Sequence, residues 1–150
     1  MGRQYVHRPV IVDARADDAA AVVALWHACG LTRPWNDPDA DFARALDGAT
    51  STILVARQGD ASVGSVMVGH DGHRGWLYYL AVLPERQGQG IGTALFHAAE
   101  RWLRARSVPK VQLMVREGNS AALAFYNRIG LERQGVVVLG RLLTNPVEPS

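Results

Sequence analysis

"AVLPERQGQGIGTALFHAAERWL", residues 81–103, leaves an apolar strand, passes three alternate glycines and enters an amphipathic helix. Gly88, Gly90 and Gly92 fall at every second position, and Ile91, Ala94, Leu95, Ala98 and Trp102 recur at the spacing of one helix face. A helix N-terminus leaves four N–H groups without intrahelical partners and carries partial positive charge. Glycines ahead of it let further N–H groups turn toward the same point, because no Cβ blocks a positive φ or a close approach. Strand, glycine loop and helix together predict an anion cradle, most naturally for phosphate or pyrophosphate. The plain alternative is that the glycines serve only a tight turn.

Other phosphate loops fit less well. No Lys follows Gly92, as a Walker A loop requires, and Thr93 stands where a dinucleotide fingerprint needs its third glycine. A kinase-type glycine loop leads into a strand bearing Lys, whereas here a helix follows.

Outward from the loop, the chain reads as alternating elements. "PVIVDAR" (9–15) alternates like a first strand, and "ADDAAAVVALWHACG" (16–30) follows as a helix with Asp17 as N-cap and Gly30 as stop. A second short helix is capped by Asp37, with Pro38 at its first position and Phe42, Ala45 and Leu46 buried. Residues 51–84 hold three strand-like runs, an antiparallel meander with turns near residues 58–61 and at Asp71 and Gly72. "KVQLMV" (110–115) is a short strand whose long helical connection predicts parallel pairing. "NSAALAFYNRIGL" (119–131) is a last helix ended by Gly130, "VVVLGRLL" (136–143) supplies final strand material, and the tail from about residue 144 is expected to fray. No linker or repeat divides the chain, so residues 1–150 are expected to form a single α+β domain.

Composition narrows the function. A chain of 150 residues that is 48% hydrophobic and 20% charged is ordinary for a soluble domain. A net charge of +2 implies neither a nucleic-acid nor a membrane partner. Cys29 is the single cysteine, so no internal disulfide and no cysteine-built zinc site is expected, and no metal is called for. No long apolar span or signal-peptide pattern is seen, and a cytoplasmic location is expected.

Two motifs then match a family. "AVLPERQGQGIGTALF" (81–96) and "VREGNSAALAFYNRIGLER" (115–133) resemble the two signatures of the GNAT family of N-acetyltransferases. Its glycine signature is met by Gln87, Gly90 and Gly92, and its second motif by Asn119, Ala122, Phe125, Tyr126, Gly130 and Leu131. Within the family the chain is similar to the small bacterial YpeA-like acetyltransferases, through "LTRPWNDP" (31–38) and "GHDGHRGWLYYLAVLPE" (69–85). The resemblance implies a mixed, mostly antiparallel sheet of six to seven strands flanked by about four helices, with the fourth and fifth strands splayed. It implies acetyl-CoA as donor and direct transfer to a primary amine in a ternary complex. A non-catalytic module of the same fold that binds or senses acyl-CoA is the alternative.

Residue by residue, the resemblance places the pyrophosphate on the main chain of Gln87, Gly88, Gln89, Gly90, Ile91, Gly92 and Thr93. The pantetheine arm would pair with the main chain of Leu80, Ala81 and Val82, much as an added strand would. A main-chain N–H near Val82 would stabilise the oxyanion. Tyr126 would be the acid that protonates the departing thiolate, since a phenol stays protonated at neutral pH. Asn119 would cap its helix or touch the pantetheine. The base stays open among Asp71, His73, Tyr78, Tyr79, Glu85 and water. On the acceptor side, the resemblance points to Thr32, Arg33, Trp35, Asn36 and Asp37, with Asp71, His73 and Tyr78 as a further wall. Small amine, amino acid, peptide N-terminus and lysine all remain open, as does a homodimer.

Overall fold

The computed structural model describes residues 8–144. The chain divides into two compact units, Met1–Met114 and Val115–Ser150. In the first, the order is β1 (Val10–Asp13), α1 (Ala19–Ala28), α2 (Pro38–Asp47), β2 (Ser51–Gln58), β3 (Ala61–His70), β4 (Gly75–Val82), α3 (Ile91–Ala105) and β5 (Val111–Leu113), with short 3-10 turns at Ala16–Asp18 and Pro84–Arg86. The second unit contributes α4 (Ser120–Arg128).

The five strands form one sheet in the order β1-β2-β3-β4-β5. The first three pairings are antiparallel and β4 pairs with β5 in parallel, as a helical crossover through α3 requires. The sheet thus has five strands among the described residues rather than the six to seven expected. The missing material is the segment 136–143, which takes no strand conformation; the β-propensity of its valines is not enough without a pairing partner. The fraying expected of the tail concerns residues that lie almost wholly outside the described ones.

Central strands covered on both faces read as apolar runs rather than alternations. In β2, Ile53 and Val55 join a cluster with Val22, Leu25, Trp26, Phe42, Ala45 and Ala81 beneath α1 and α2. The opposite face meets α3, whose Ile91, Leu95, Phe96, Ala98, Ala99 and Leu103 are buried. Gly75 allows that helix its close approach, because a Cβ there would stand 2.6 Å from Leu103 Cδ1.

Local chemistry fixes the helix starts. Asp37 accepts a hydrogen bond from Ala40 N–H at 3.1 Å, with Pro38 opening α2. The residue before α1 is Asp18 rather than the expected Asp17, and its side chain bonds no N–H of that helix. Its carboxylate accepts from Arg15 N–H at 2.8 Å and from Arg57 Nη2 at 2.8 and 2.9 Å. A carboxylate that finds both a main-chain donor and a cation outcompetes its neighbour. The turn expected at Asp71 and Gly72 is a four-residue loop, since His70 pairs with Gly75. Asp71 builds it by accepting from His73 N–H at 2.9 Å and Arg74 N–H at 2.7 Å.

Candidate functional site

The glycine loop closes the first unit's β4-to-α3 connection. Gly88 and Gly90 both take φ of +82°, a left-handed conformation that favours glycine, and Gly90 is the N-cap of α3. A Cβ at either position would meet nothing within 4 Å, so the glycines are not required by neighbouring atoms of the fold. They hold a backbone shape and leave the surface beside it open. Ile91, Gly92 and Thr93 occupy the first helical positions, whose N–H groups have no intrahelical acceptor. Main-chain bonding resumes with Ala94 N–H donating to Gly90 O at 3.0 Å. Gln87 is the exception in role: its Nε2 donates to Val82 O at 3.3 Å and pins the loop to the end of β4. The segment therefore sets the unbonded first N–H groups of a 15-residue helix, at its positive end, beside an open glycine-lined surface.

β4 leads into this cradle with an irregular middle. Tyr78 pairs with Met67 and Ala81 with Ser65, so Tyr79 and Leu80 together oppose Val66 in a β-bulge. Tyr79 sits at φ +53°, a conformation that costs a side-chain-bearing residue about 1–2 kcal/mol. The bulge reverses the side-chain phase. Gly75 and Leu77 face α3, and strict alternation would send Tyr79 and Ala81 the same way. Both instead join the cluster under α1 and α2.

Beyond Leu77, no strand among the described residues pairs with the far edge of β4. β5 pairs with Gly75, Trp76 and Leu77 and ends at Leu113, while β4 runs on to Val82. Leu83 N–H donates to Val63 O across the β3 side. Alternation then turns the N–H and C=O of Val82 away from β3, toward the side where β5 has ended. Val82 O accepts from Gln87 Nε2 and, at 3.2 Å, from Cys29 Sγ. Burial pushes the Cys29 thiol up, which makes it a poor nucleophile.

Tyr79 is the best-anchored polar side chain of β4. Its ring stacks on Trp26 at 4.0 Å and 8°, and its hydroxyl donates to Asp41 Oδ2 at 2.8 Å. Trp26 in turn donates from Nε1 to the buried Ser65 Oγ at 3.1 Å. Burial first, and the Asp41 carboxylate second, raise the Tyr79 phenol well above the ordinary tyrosine value. The tether joins α2, next to the loop expected to face the acceptor, to the bulge of β4. Asp41 is absent from the sequence-derived acceptor set; its only signal was a carboxylate one turn beyond the Asp37 cap.

Other expected acceptor-side residues have observed structural partners. Arg33 Nη1 donates to Gly30 O and Thr32 O, each at 2.9 Å, folding the 31–37 loop back on α1. Asn36 N–H donates to Arg33 O, and Trp35 is 58% exposed. Asp71 also accepts from Trp76 Nε1 at 3.1 Å; with the two loop N–H bonds this lowers its carboxyl to about 2. His73 is exposed on the same loop, and that loop lies at the opposite end of β4 from the cradle. Tyr78 is 43% exposed, its phenol raised chiefly by burial and then by Asp71.

In the second unit, Asn119 caps α4 by accepting from Ala122 N–H at 3.1 Å. Tyr126 lies on α4 in edge contact with Phe125 at 5.1 Å, and burial lifts its phenol to about 12. Gly130, at φ +98°, closes the helix while Leu131 N–H donates to Tyr126 O at 2.9 Å. Among the described residues no helix is long and apolar enough to cross a membrane, and no three metal-ligating side chains cluster.

The family model for the acetyltransferase (GNAT) family matches residues 20–131. An acetyltransferase of Pectobacterium atrosepticum is 46% identical over 129 residues, covering 86% of this chain and 92% of its own. The chain belongs to the GNAT acetyltransferase family.

Solved structures agree on the fold. The aminoglycoside N-acetyltransferase AAC(6')-Iy in complex with CoA superposes with a TM-score of 0.81 at 15% identity, covering 96% of this chain and all of that one. A ribosomal-protein-alanine N-acetyltransferase from Brucella melitensis biovar Abortus 2308 gives 0.74 at 21% identity, covering 91% of this chain and all of that one.

Proposed function

We propose that the protein is an N-acetyltransferase that moves the acetyl group of acetyl-CoA to a primary amine by direct attack. One observation carries the reading: the glycine cradle at the start of α3 adjoins the unpaired edge of β4. The N–H groups of residues 88–93 would hold the diphosphate of the donor. The free edge of Leu80, Ala81 and Val82 would take its pantetheine arm by strand-like hydrogen bonding. The thioester supplies the activated acetyl group. Val82 N–H, turned to the open side, is the donor for negative charge developing on the acetyl oxygen.

Tyr126 is the acid that returns a proton to the thiolate, and its elevated phenol keeps that proton available at every physiological pH. Of the candidate bases, Asp71 is too weak with its carboxyl near 2, and Tyr78 and Tyr79 stay protonated. Glu85 or a water chain is left for that step, since His73 lies on the loop at the far end of β4 from Val82.

The acceptor would approach from the 31–37 loop and α2, where exposed Trp35 and the Asp37 and Asp41 carboxylates suit a cationic amine. Aminoglycosides and ribosomal-protein alanine are the acceptors named for the two structural neighbours, and both offer amines. A thiol-release assay with acetyl-CoA over aminoglycosides, amino acids and alanine-starting peptides tests the reading. Turnover with at least one of these amines is expected. Tight CoA binding with no turnover across the panel would leave an acyl-CoA-binding module instead.

A further inference from the structure

We propose that Asp41 and Tyr79 are positioning residues: their hydrogen bond holds the bulge of β4 that turns Val82 N–H out of the sheet, and so sets how strongly the bound thioester carbonyl is polarised. The assignment rests on the donor site proposed above. It gives the two side chains a part in the reaction through the main chain they hold, not through contact with the donor.

The bulge is what frees Val82. Gly75 N–H donates to Lys110 O at 2.8 Å, on the β5 side. In the first half of β4, then, odd-numbered residues turn their polar groups toward β5 and even-numbered ones toward β3. Beyond the bulge the order is reversed, because Leu83 N–H donates to Val63 O on the β3 side. Tyr79 and Leu80 standing together opposite Val66 account for the reversal. Were β4 even throughout, Val82 would turn its N–H into the ladder with β3, and no donor would be left there for an acyl oxygen.

The main chain does not favour this course by itself. Tyr79 sits at φ +53°, where a residue bearing a side chain is strained and persists only if its surroundings hold it. The side chain supplies the hold. The bulge carries its ring onto the face covered by α1 and α2, where it stacks on Trp26 at 4.0 Å and its hydroxyl donates to Asp41 Oδ2 at 2.8 Å. An even strand would point the same side chain toward α3, as it does Gly75, and forfeit both contacts. Both anchors are fixed independently of Tyr79. Trp26 is fully buried with its Nε1 on Ser65 Oγ, and Asp41 lies in the first turn of α2, whose start Asp37 and Pro38 define. The stack tolerates any aromatic ring, whereas the charge-assisted bond to Asp41 is directional and selects the bulged register.

The test needs the donor and no acceptor. Isotope-edited infrared difference spectra of acetyl-CoA labelled at the carbonyl carbon, bound to the full chain, should show the thioester C=O band below its position in free acetyl-CoA. Tyr79→Phe and Asp41→Ala should lose most of that displacement. Their affinity for CoA by calorimetry should fall by less than about tenfold, since the amides of residues 88–93 are untouched. Asp41→Asn keeps an acceptor oxygen and should restore the band. A merely structural role would lower Tm and leave the band of the folded, saturated protein where it was. An unmoved band in Tyr79→Phe and Asp41→Ala would therefore overturn the proposal and leave the donor site standing. A wild type that binds no acetyl-CoA, or holds its carbonyl at the free position, would overturn the donor reading and this proposal with it. Asp41→Ala leaves the sequence of β4 intact, so it decides the matter if Tyr79→Phe fails to fold.

Discussion

Replacing Tyr79 by Phe removes one hydroxyl and leaves the stack on Trp26, so it isolates the bond to Asp41. That bond is 2.8 Å long and its acceptor is a carboxylate. Hydrogen bonds to charged groups contribute about 1.5–3 kcal/mol. The Asp41 side chain is 24% exposed, so water can partly replace the lost donor. The expected destabilisation is therefore about 1–2 kcal/mol, which for a chain of this size lowers Tm by about 2–8 °C. Asp41→Ala should cost a similar amount, and the double variant little more than either alone, giving a coupling energy of about 1 kcal/mol. Asp41→Asn keeps an acceptor oxygen and should recover most of the stability. The pH dependence has a definite sign. The fold favours the neutral Tyr79 phenol, so its contribution is full below pH 10 and declines as pH rises further. Wild type should accordingly lose stability faster than Tyr79→Phe on going above pH 10. Thermal and urea melts measure all of this. A Tm change under 1 °C for Tyr79→Phe, or strictly additive losses in the double variant, would refute the tether.

Further expectations concern the cradle and the acid. Gly90→Val places a β-branched residue at φ +82°, at a strain of about 1–2 kcal/mol, and intrudes on the open surface. Calorimetry should show CoA binding weakened by more than about 2 kcal/mol, and unchanged affinity would count against the cradle. Tyr126→Phe should lower kcat at least about 100-fold with little change in the KM for acetyl-CoA; full turnover with a good acceptor would remove Tyr126 from the mechanism. The same residue predicts an alkaline effect. With its phenol at about 12 in the fold and near 10 unfolded, stability should fall by about 1.4 kcal/mol per pH unit between those values. Urea melts of Tyr126→Phe should lack that component of the slope.

The parts that were legible in the sequence are local. Asp37 as a cap, Asn119 as a cap and Gly130 as a stop each depend on atoms within a few residues, and the meander and the parallel crossover follow from element order. What escaped depends on distant partners or on close competition. Asp17 and Asp18 are equivalent by pattern, and Arg57, 39 residues away, helps decide between them. The Tyr79–Asp41 bond spans 38 positions, and no spacing rule announces it. The bulge that makes it is equally silent, because "LYYLAV" reads as an even strand until the left-handed turn at Tyr79 reverses its phase. Residues 136–143 have strand chemistry but no strand, since pairing is a property of the neighbour and not of the segment.

A crystal structure of the protein with CoA tests the central claim most directly. Diphosphate oxygens should lie about 2.7–3.2 Å from several main-chain nitrogens of residues 88–93, with the pantetheine running along the free edge at Val82. CoA bound in another place, with those nitrogens facing only water, would contradict the account.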